Sequence, residues 1–173
     1  MYSKVKIFGH PIHPMLVAYP IAFYTATFVA YLIYQLGGQQ QFWLRAGIAA
    51  NVAGVVMAVL AALPGFLDWA LGIPSQHPAK ATGLRHMICN VAALILFIVA
   101  LIVEAGKWSA TQPSAVAPLI LSLIGVILTV AAGFYGWTLI QDHHVGIAES
   151  TAEAPAAADS AATAKPARGA SRA

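Results

Sequence analysis

With 173 residues the chain is long enough for one domain, but its composition excludes an ordinary soluble protein, because 60% of the residues are hydrophobic and only 9% are charged. The net charge of +3 comes from Lys and Arg residues that are scattered along the chain, so they do not form the basic patch that a nucleic-acid partner requires. We therefore expect the lipid bilayer to cover most of the protein surface.

Four long apolar runs explain this composition. A helix needs roughly 20 residues to cross about 30 Å of hydrocarbon, and each run meets that length. Because the alternating strand pattern of a membrane barrel is not seen in the sequence, the runs predict an all-α integral membrane protein, a four-helix bundle with both termini on the same side. The runs cover residues 15–36, 46–67, 82–105 and 115–140, and their central parts contain no Lys, Arg, Asp or Glu.

The chain divides into two parts of different composition. Residues 1–147 are predicted to form the four-helix transmembrane domain, and its first run is expected to be an uncleaved anchor because it is longer than a signal-peptide core. Residues 148–173 are rich in Ala, small polar residues and Pro, and they lack the large apolar side chains that a core needs. We predict a disordered, Ala-rich tail for this second part.

The distribution of positive charge predicts the orientation in the membrane. With four spans, one side carries both termini and the middle loop, and the other side carries the two remaining loops. The first side has more Lys and Arg residues near the membrane, which favours a cytoplasmic location for both termini. These residues are Lys4, Lys6, Lys80 and Arg85 on the first side, against Arg45 and Lys107 on the second.

Small residues and one proline predict how the helices pack. In lipid, helices associate through close contact, so small residues spaced four apart indicate contact faces. Pro64 lies in the second run, where it removes a backbone donor and predicts an irregular backbone at residues 65–68. The predicted ridges are Ala46, Ala50, Gly54, Ala58 and Ala62 in the second run, and Gly125, Thr129 and Gly133 with the adjacent Ala132 and Gly136 in the fourth.

All of the histidines fall near the ends of the runs on one predicted side. Asp68 follows the second run on that side, so each of the four helices contributes a candidate metal ligand or proton carrier to one membrane level. A neutral imidazole can bind a metal, and a carboxylate can orient a histidine or carry a proton. The histidines are His10, His13, His77, His86, His143 and His144.

Spacing limits which of these residues can act together. His10 and His13 could serve one ion within a helix, but the prolines beside them favour an extended segment that holds the two rings apart. We therefore expect one direct ligand from this pair. His86 and Asn90 lie four residues apart on one helix face, where they either belong to a site or only form hydrogen bonds between helices.

The remaining histidines also have a structural interpretation. His143 and His144 suit the solvated end of a helix, where polar residues are common. His77 stands between Gln76 and Pro78 and is expected to be an ordinary loop residue. The sequence contains no nucleophile elbow, phosphate-binding Gly loop or zinc-protease motif, so it supports no particular enzyme class.

Several motifs in combination resemble a known family. They are HPIHPMLVAYPI from His10, ALPGFLDW at the end of the second run, H-x-x-x-N at His86 and Asn90, and GFYGWTLIQDHHVGI at the end of the fourth run. The chain resembles, over residues 8–147, an uncharacterised bacterial family of four-helix membrane proteins called domain-of-unknown-function family 2231. The resemblance implies a multi-pass protein of the cell inner membrane.

The resemblance also suggests site residues. The motif histidines of the family correspond to His10, His13, His86 and His143, and the motif acid corresponds to Asp68. The closing segment departs from the Y-R-H-G-V-G-V pattern that is common in the family, since Gln141, Asp142 and His144 replace its Tyr, Arg and first Gly. Related domains are sometimes joined to Rieske iron–sulfur domains, which implies a membrane redox setting and a redox partner. No established activity comes with the family.

Our leading hypothesis is a redox or metal-binding membrane protein. In it, His10 or His13, together with His86 and His143, binds haem b or a divalent transition metal, and Asp68 and Asn90 orient ligands or carry protons. Haem takes two axial histidines, whereas a divalent ion takes three or four His or carboxylate ligands.

Two other classes of function compete with this hypothesis. The first is a non-catalytic accessory or assembly subunit, which associates with a partner or with further copies of itself and whose polar residues only lock the helices together. The second is a small transporter, which is less favoured because no charged residue lies near the membrane midplane and no inverted repeat is visible.

Overall fold

The computed structural model describes residues 3–147, so the predicted tail at residues 148–173 lies outside the described residues. Within the described part, four helical segments are long and apolar enough to cross a membrane, which confirms the predicted four-helix fold. The first segment is α1 followed by α2, and the second is α3 followed by one π-helical turn. The helices are α1 (Ile12–Leu16), α2 (Ala18–Leu36), α3 (Gln41–Leu67), α4 (Ala79–Glu104) and α5 (Val116–Gln141).

A short β-hairpin precedes the first helix. Its strands, β1 (Lys6–Ile7) and β2 (His10–Pro11), are antiparallel, and Ile7 pairs with His10. The two turn residues, Phe8 and Gly9, both have positive φ (49° and 83°), which is the geometry of a two-residue hairpin turn and explains the glycine. The strands are too short to show an alternating pattern, so the sequence does not predict the hairpin.

Pro64 lies inside α3 without ending it. The helix continues to Leu67, and a π-helical turn at Asp68–Gly72 follows. The predicted irregular backbone at residues 65–68 is therefore wrong for residues 65–67, because the distortion begins one turn after the proline. Lys80 Nζ donates to the carbonyls of Trp69 and Ala70 in this turn and of Ile73 just after it, at 2.6, 3.3 and 3.2 Å. These bonds satisfy backbone acceptors that the helix leaves free.

The helices pack as two closely associated pairs, α2 with α3 and α4 with α5. On α3 the buried small residues are Gly47, Gly54 and Ala61, whereas Ala62 of the predicted ridge is exposed. The ridge was thus predicted about one residue out of register, because a run rich in Ala on every face does not mark a single contact side. A Cβ on Gly47 would overlap the buried Tyr31 ring, which shows how closely α2 and α3 approach.

The predicted ridge of α5 is confirmed in part. Gly125 and Ala132 are buried, and a Cβ on Gly125 would overlap the ring of Phe97 on α4. Gly133, in contrast, has no neighbour within 4 Å of the position its Cβ would take. The helix pair therefore uses the face that carries Gly125 and Ala132, and Gly133 points away from the protein interior.

Candidate functional site

One end of the bundle contains most of the sequence-predicted site residues, and we call it the histidine end. It comprises residues 3–16, the segment 68–86 and residues 132–147. His13 on α1 and His86 on α4 lie together there, with ring centres 6.1 Å apart and ring planes nearly perpendicular at 89°. Two histidines that are 73 positions apart in sequence thus meet at one membrane level, as the topology requires.

Both rings of this pair are oriented by backbone carbonyls. His13 Nδ1 lies 2.8 Å from the carbonyl oxygen of Ala61 on α3, and His86 Nδ1 lies 2.8 Å from that of Ala132 on α5. A carbonyl oxygen can only accept, so Nδ1 carries the hydrogen in each ring. In the neutral form each Nε2 therefore carries a lone pair that can accept, and the histidine pair links four helical segments.

The two Nε2 atoms have different surroundings. Asn90 Nδ2 lies 3.1 Å from Nε2 of His86 and also donates to the His86 carbonyl at 2.9 Å. Nε2 of His13 makes no hydrogen bond within residues 3–147. Asn90 is exposed and turns back onto its own helix, so the expected hydrogen bond from Asn90 to another helix is not formed.

Two glycines make room for these imidazoles. A Cβ on Gly65 would lie 2.6 Å from Nδ1 of His13, and a Cβ on Gly136 would lie 3.3 Å from the ring of His86. Gly65 belongs to the PGFLDW motif and Gly136 to the GFYGW motif. The sequence marks both motifs, but it does not indicate that their glycines receive the histidine rings.

A second histidine pair lies at the same end. The rings of His77 and His143 are 5.9 Å apart at an angle of 81°. His77 Nδ1 accepts from the backbone N–H of Ala79 at 3.1 Å, and His143 Nε2 lies 3.3 Å from Thr82 Oγ1. His77 lies in the loop before α4, as expected, and its ring also accepts a hydrogen bond from the first residue of that helix.

Two further predicted site residues lie apart from the His13–His86 pair. His10 is exposed on the extended strand β2, outside the helix that carries His13, and it forms no ring contact or side-chain hydrogen bond within the described chain. The Asp68 carboxylate accepts from Ser3 Oγ (2.7 Å) and from the backbone N–H groups of Lys4 (2.6 Å) and Val5 (3.1 Å). Asp68 thus fastens the N-terminal segment to the start of the π-helical turn.

The side chains at the histidine end limit which metal ion or cofactor this end could hold. In the described part of the chain, no three His, Cys, Asp or Glu side chains converge in a way that could hold a metal ion. The arrangement therefore does not fit a divalent ion that takes three or four such ligands. Two imidazoles with fixed Nδ1–H groups offer two Nε2 donors, and a haem iron can take two nitrogen ligands from a protein.

Sequence reasoning missed a polar group at the opposite end of the bundle. Glu104, the last residue of α4, is only 3% exposed, and Asn51 and Tyr31 beside it are fully buried. A signal was present, because Glu104 and Asn51 are rare polar residues within apolar helices. We call this region the carboxylate end.

Comparison with known proteins gives one match. Residues 9–149 match the family DUF2231, which is described as a predicted membrane protein. No curated protein and no solved structure matches the chain. The match spans most of the chain and all four membrane-crossing helices. The chain belongs to the DUF2231 family of predicted membrane proteins.

Proposed function

We propose that His13 and His86 are the axial ligands of a haem b at the histidine end of a membrane redox protein. The observation that supports this most directly is the hydrogen bond from each Nδ1–H to a helix carbonyl, because it fixes both rings and directs both Nε2 lone pairs to a ligand role. Such a carbonyl contact also raises the basicity of the liganding imidazole.

The spacing of the two rings is consistent with a shared iron. An iron held by both imidazoles would form metal–nitrogen bonds of about 2 Å, and the ring centres would then lie roughly 6 Å apart. The observed separation is 6.1 Å. Binding at His86 requires the Asn90 amide to release Nε2, so Asn90 controls access to that nitrogen. A bound haem would supply one-electron transfer.

The remaining predicted residues have supporting roles in this proposal. Asp68 positions the segment that leads into α1, and it therefore helps to fix His13. The proposal does not use His10 and His143 as ligands, since His10 is exposed and His143 contacts Thr82 and His77. A proton-carrying role for Asp68 would require the N-terminal segment to move away from its carboxylate.

The test is the absorption spectrum of the purified full-length protein, combined with elemental analysis for iron. We expect a Soret band that is lost in His13→Ala and in His86→Ala. The matched control is His144→Ala, which removes an exposed histidine from the same end and should keep the band. A wild-type protein that contains neither haem nor iron after expression with ample haem would refute the proposal.

A second candidate function is a non-catalytic subunit whose polar residues only lock the helices. Its specific support is the contact between Asn90 and Nε2 of His86, which satisfies that nitrogen without any ligand. Under this alternative, His13→Ala and His86→Ala weaken assembly or stability, and no spectral signal exists to be lost. The partner would be a membrane redox protein or another copy of the chain.

We also propose that the protein crosses the inner membrane of the cell with the histidine end towards the cytoplasm. The support is the larger number of Lys and Arg residues at that end. Impermeant labelling of cysteines introduced at Ser3 and Ser109 in cells tests the orientation. Ser109 should be labelled from outside and Ser3 only after permeabilisation; the reverse result would contradict the proposed orientation.

A further inference from the structure

The carboxylate end contains a group of buried oxygen atoms that the proposed haem site does not use. Glu104 lies 18 positions beyond His86 on α4, which corresponds to about 27 Å along the helix. It adjoins Tyr31 of α2 and Asn51 of α3, and all three side chains are at least 97% buried. Three different helices therefore bring polar side chains to one enclosed point.

The local packing fixes how these side chains point. Asn51 Nδ2 donates to the carbonyl of Phe97 at 3.2 Å, which leaves its Oδ1 to face away from that bond. Gly47 leaves room for the Tyr31 ring, since a Cβ there would overlap it. The positions of the Asn51 and Tyr31 side chains are thus set by contacts with neighbouring helices.

None of these oxygens forms a hydrogen bond of good geometry, although the Tyr31 hydroxyl and the Asn51 side chain lie close enough to the Glu104 carboxylate to interact with it. The oxygens without such a bond are the Tyr31 hydroxyl, Asn51 Oδ1 and both carboxylate oxygens of Glu104. Burying a charged carboxylate or an amide oxygen without a partner is costly, so such groups normally coordinate a cation or are paired. Four buried oxygens without such hydrogen bonds point to a ligand that contacts several of them at once.

The nearest cationic side chain does not fill this role. Lys107 follows α4, and its Nζ donates to the Ser114 carbonyl at 3.0 Å. The charge of Lys107 acts on Glu104 from a distance, but no hydrogen bond joins the two side chains in the described residues. The carboxylate also stands at the C-terminus of α4, where the negative end of the helix dipole adds to the demand for positive charge.

We infer that Tyr31, Asn51 and Glu104 form a binding site for a hard monovalent cation such as Na⁺ at the carboxylate end. The donors are all oxygens, with no nitrogen or sulfur ligand among them, which is the preference of hard cations. A single carboxylate balances one positive charge and leaves a divalent ion uncompensated. A proton would supply only one hydrogen bond, whereas a cation contacts several of these oxygens together.

The experiment measures thermal unfolding of the purified full-length protein in detergent, in NaCl and in choline chloride of equal ionic strength. We expect Na⁺ to raise the unfolding midpoint in a saturable way, because a ligand that binds the folded state stabilises it. Glu104→Gln should abolish this dependence. Asp142→Asn, which neutralises an exposed carboxylate at the other end of the bundle, should retain it.

Tyr31→Phe provides a milder variant that keeps the ring and removes only the hydroxyl. It should fold and weaken the apparent Na⁺ affinity about fivefold. Equal midpoints of the wild type in Na⁺ and choline would overturn the inference, and so would a Na⁺ response that survives in Glu104→Gln or an unchanged affinity in Tyr31→Phe. None of these readouts depends on haem, so the result is independent of the proposed function.

Discussion

The histidine end and the carboxylate end both place polar side chains on apolar helices, where water cannot form hydrogen bonds with them. The two ends differ in how these side chains are paired. At the histidine end, His13 and His86 both contact backbone carbonyls of other helices. At the carboxylate end, the oxygens of Glu104 and the hydroxyl of Tyr31 form no hydrogen bond of good geometry although their side chains are enclosed.

Polar groups that hold helices together are hydrogen-bonded to their neighbours, as at the histidine end. The arrangement at the carboxylate end is the one that the inferred cation site predicts. Removing a partnered group leaves its former partner unsatisfied and costs stability, whereas replacing an unpartnered group by a neutral isostere costs little. The comparison therefore predicts opposite responses to substitution at the two ends. The comparison can be tested by making similar substitutions at both ends.

The largest effect is expected from Gly47→Ala at the carboxylate end. The added Cβ overlaps the Tyr31 ring, which is fully buried and cannot move aside. Overpacking of this kind should lower the free energy of unfolding by about 3 kcal/mol. The measurement is reversible unfolding in mixed micelles.

Gly65→Ala and Gly133→Ala are matched comparisons for this variant. Gly65 faces His13, which is only partly buried and can shift, so the cost should be smaller than for Gly47→Ala. Gly133 has open space around it, and alanine there should be neutral or stabilising by up to about 1 kcal/mol through helix propensity. Equal losses at Gly47 and Gly133 would show that α2 and α3 are not in close contact.

The next effect is expected from His86→Ala, which should destabilise the protein by about 2 kcal/mol. The substitution removes the hydrogen bond to the Ala132 carbonyl and leaves a cavity beside Gly136. A double-mutant cycle with His13→Ala measures the coupling between the two rings in protein free of haem and metal. A coupling energy near zero would mean that the 6.1 Å contact adds nothing to the locking of the helices.

The helices were predictable from the sequence because an apolar run of the required length has few alternatives in lipid. The four predicted spans agree with the helices to within about five residues at each end, for example residues 82–105 against Ala79–Glu104. The contact face of α3 was not predictable to the residue, since Ala recurs on several faces of that helix. Only the bulky partners Tyr24 and Tyr31 on α2 identify Gly54 and Gly47 as the contact positions.

The candidate site was predictable in outline but not in its pairings. The topology requires the histidines to share one end, yet only tertiary structure pairs His13 with His86 and His77 with His143. The role of Asp68 depends on the N-terminal hairpin, whose two-residue strands leave no pattern in the sequence. The sequence alone does not distinguish Glu104 from the charged residues that commonly end a membrane span.

A smaller effect is expected from Asp68→Ala. It removes the acceptor for two backbone N–H groups and the Ser3 hydroxyl, in a partly exposed position where water can replace it. The loss should be about 1 kcal/mol. Hydrogen exchange should show lost protection at Lys4 and Val5 with the helices unchanged; retained protection there would contradict the fastening role of Asp68.

The smallest effect is expected from Glu104→Gln measured without Na⁺. The wild-type carboxylate then has no bound cation and no hydrogen bond of good geometry, so replacing it by an amide of the same shape removes little. The glutamine amide can donate to Asn51 Oδ1 or to the Tyr31 hydroxyl, and the free energy of unfolding should stay within about 0.5 kcal/mol of the wild type or rise. A loss of about 2 kcal/mol in choline chloride would show that Glu104 is partnered as fully as His86, and the contrast between the two ends would disappear.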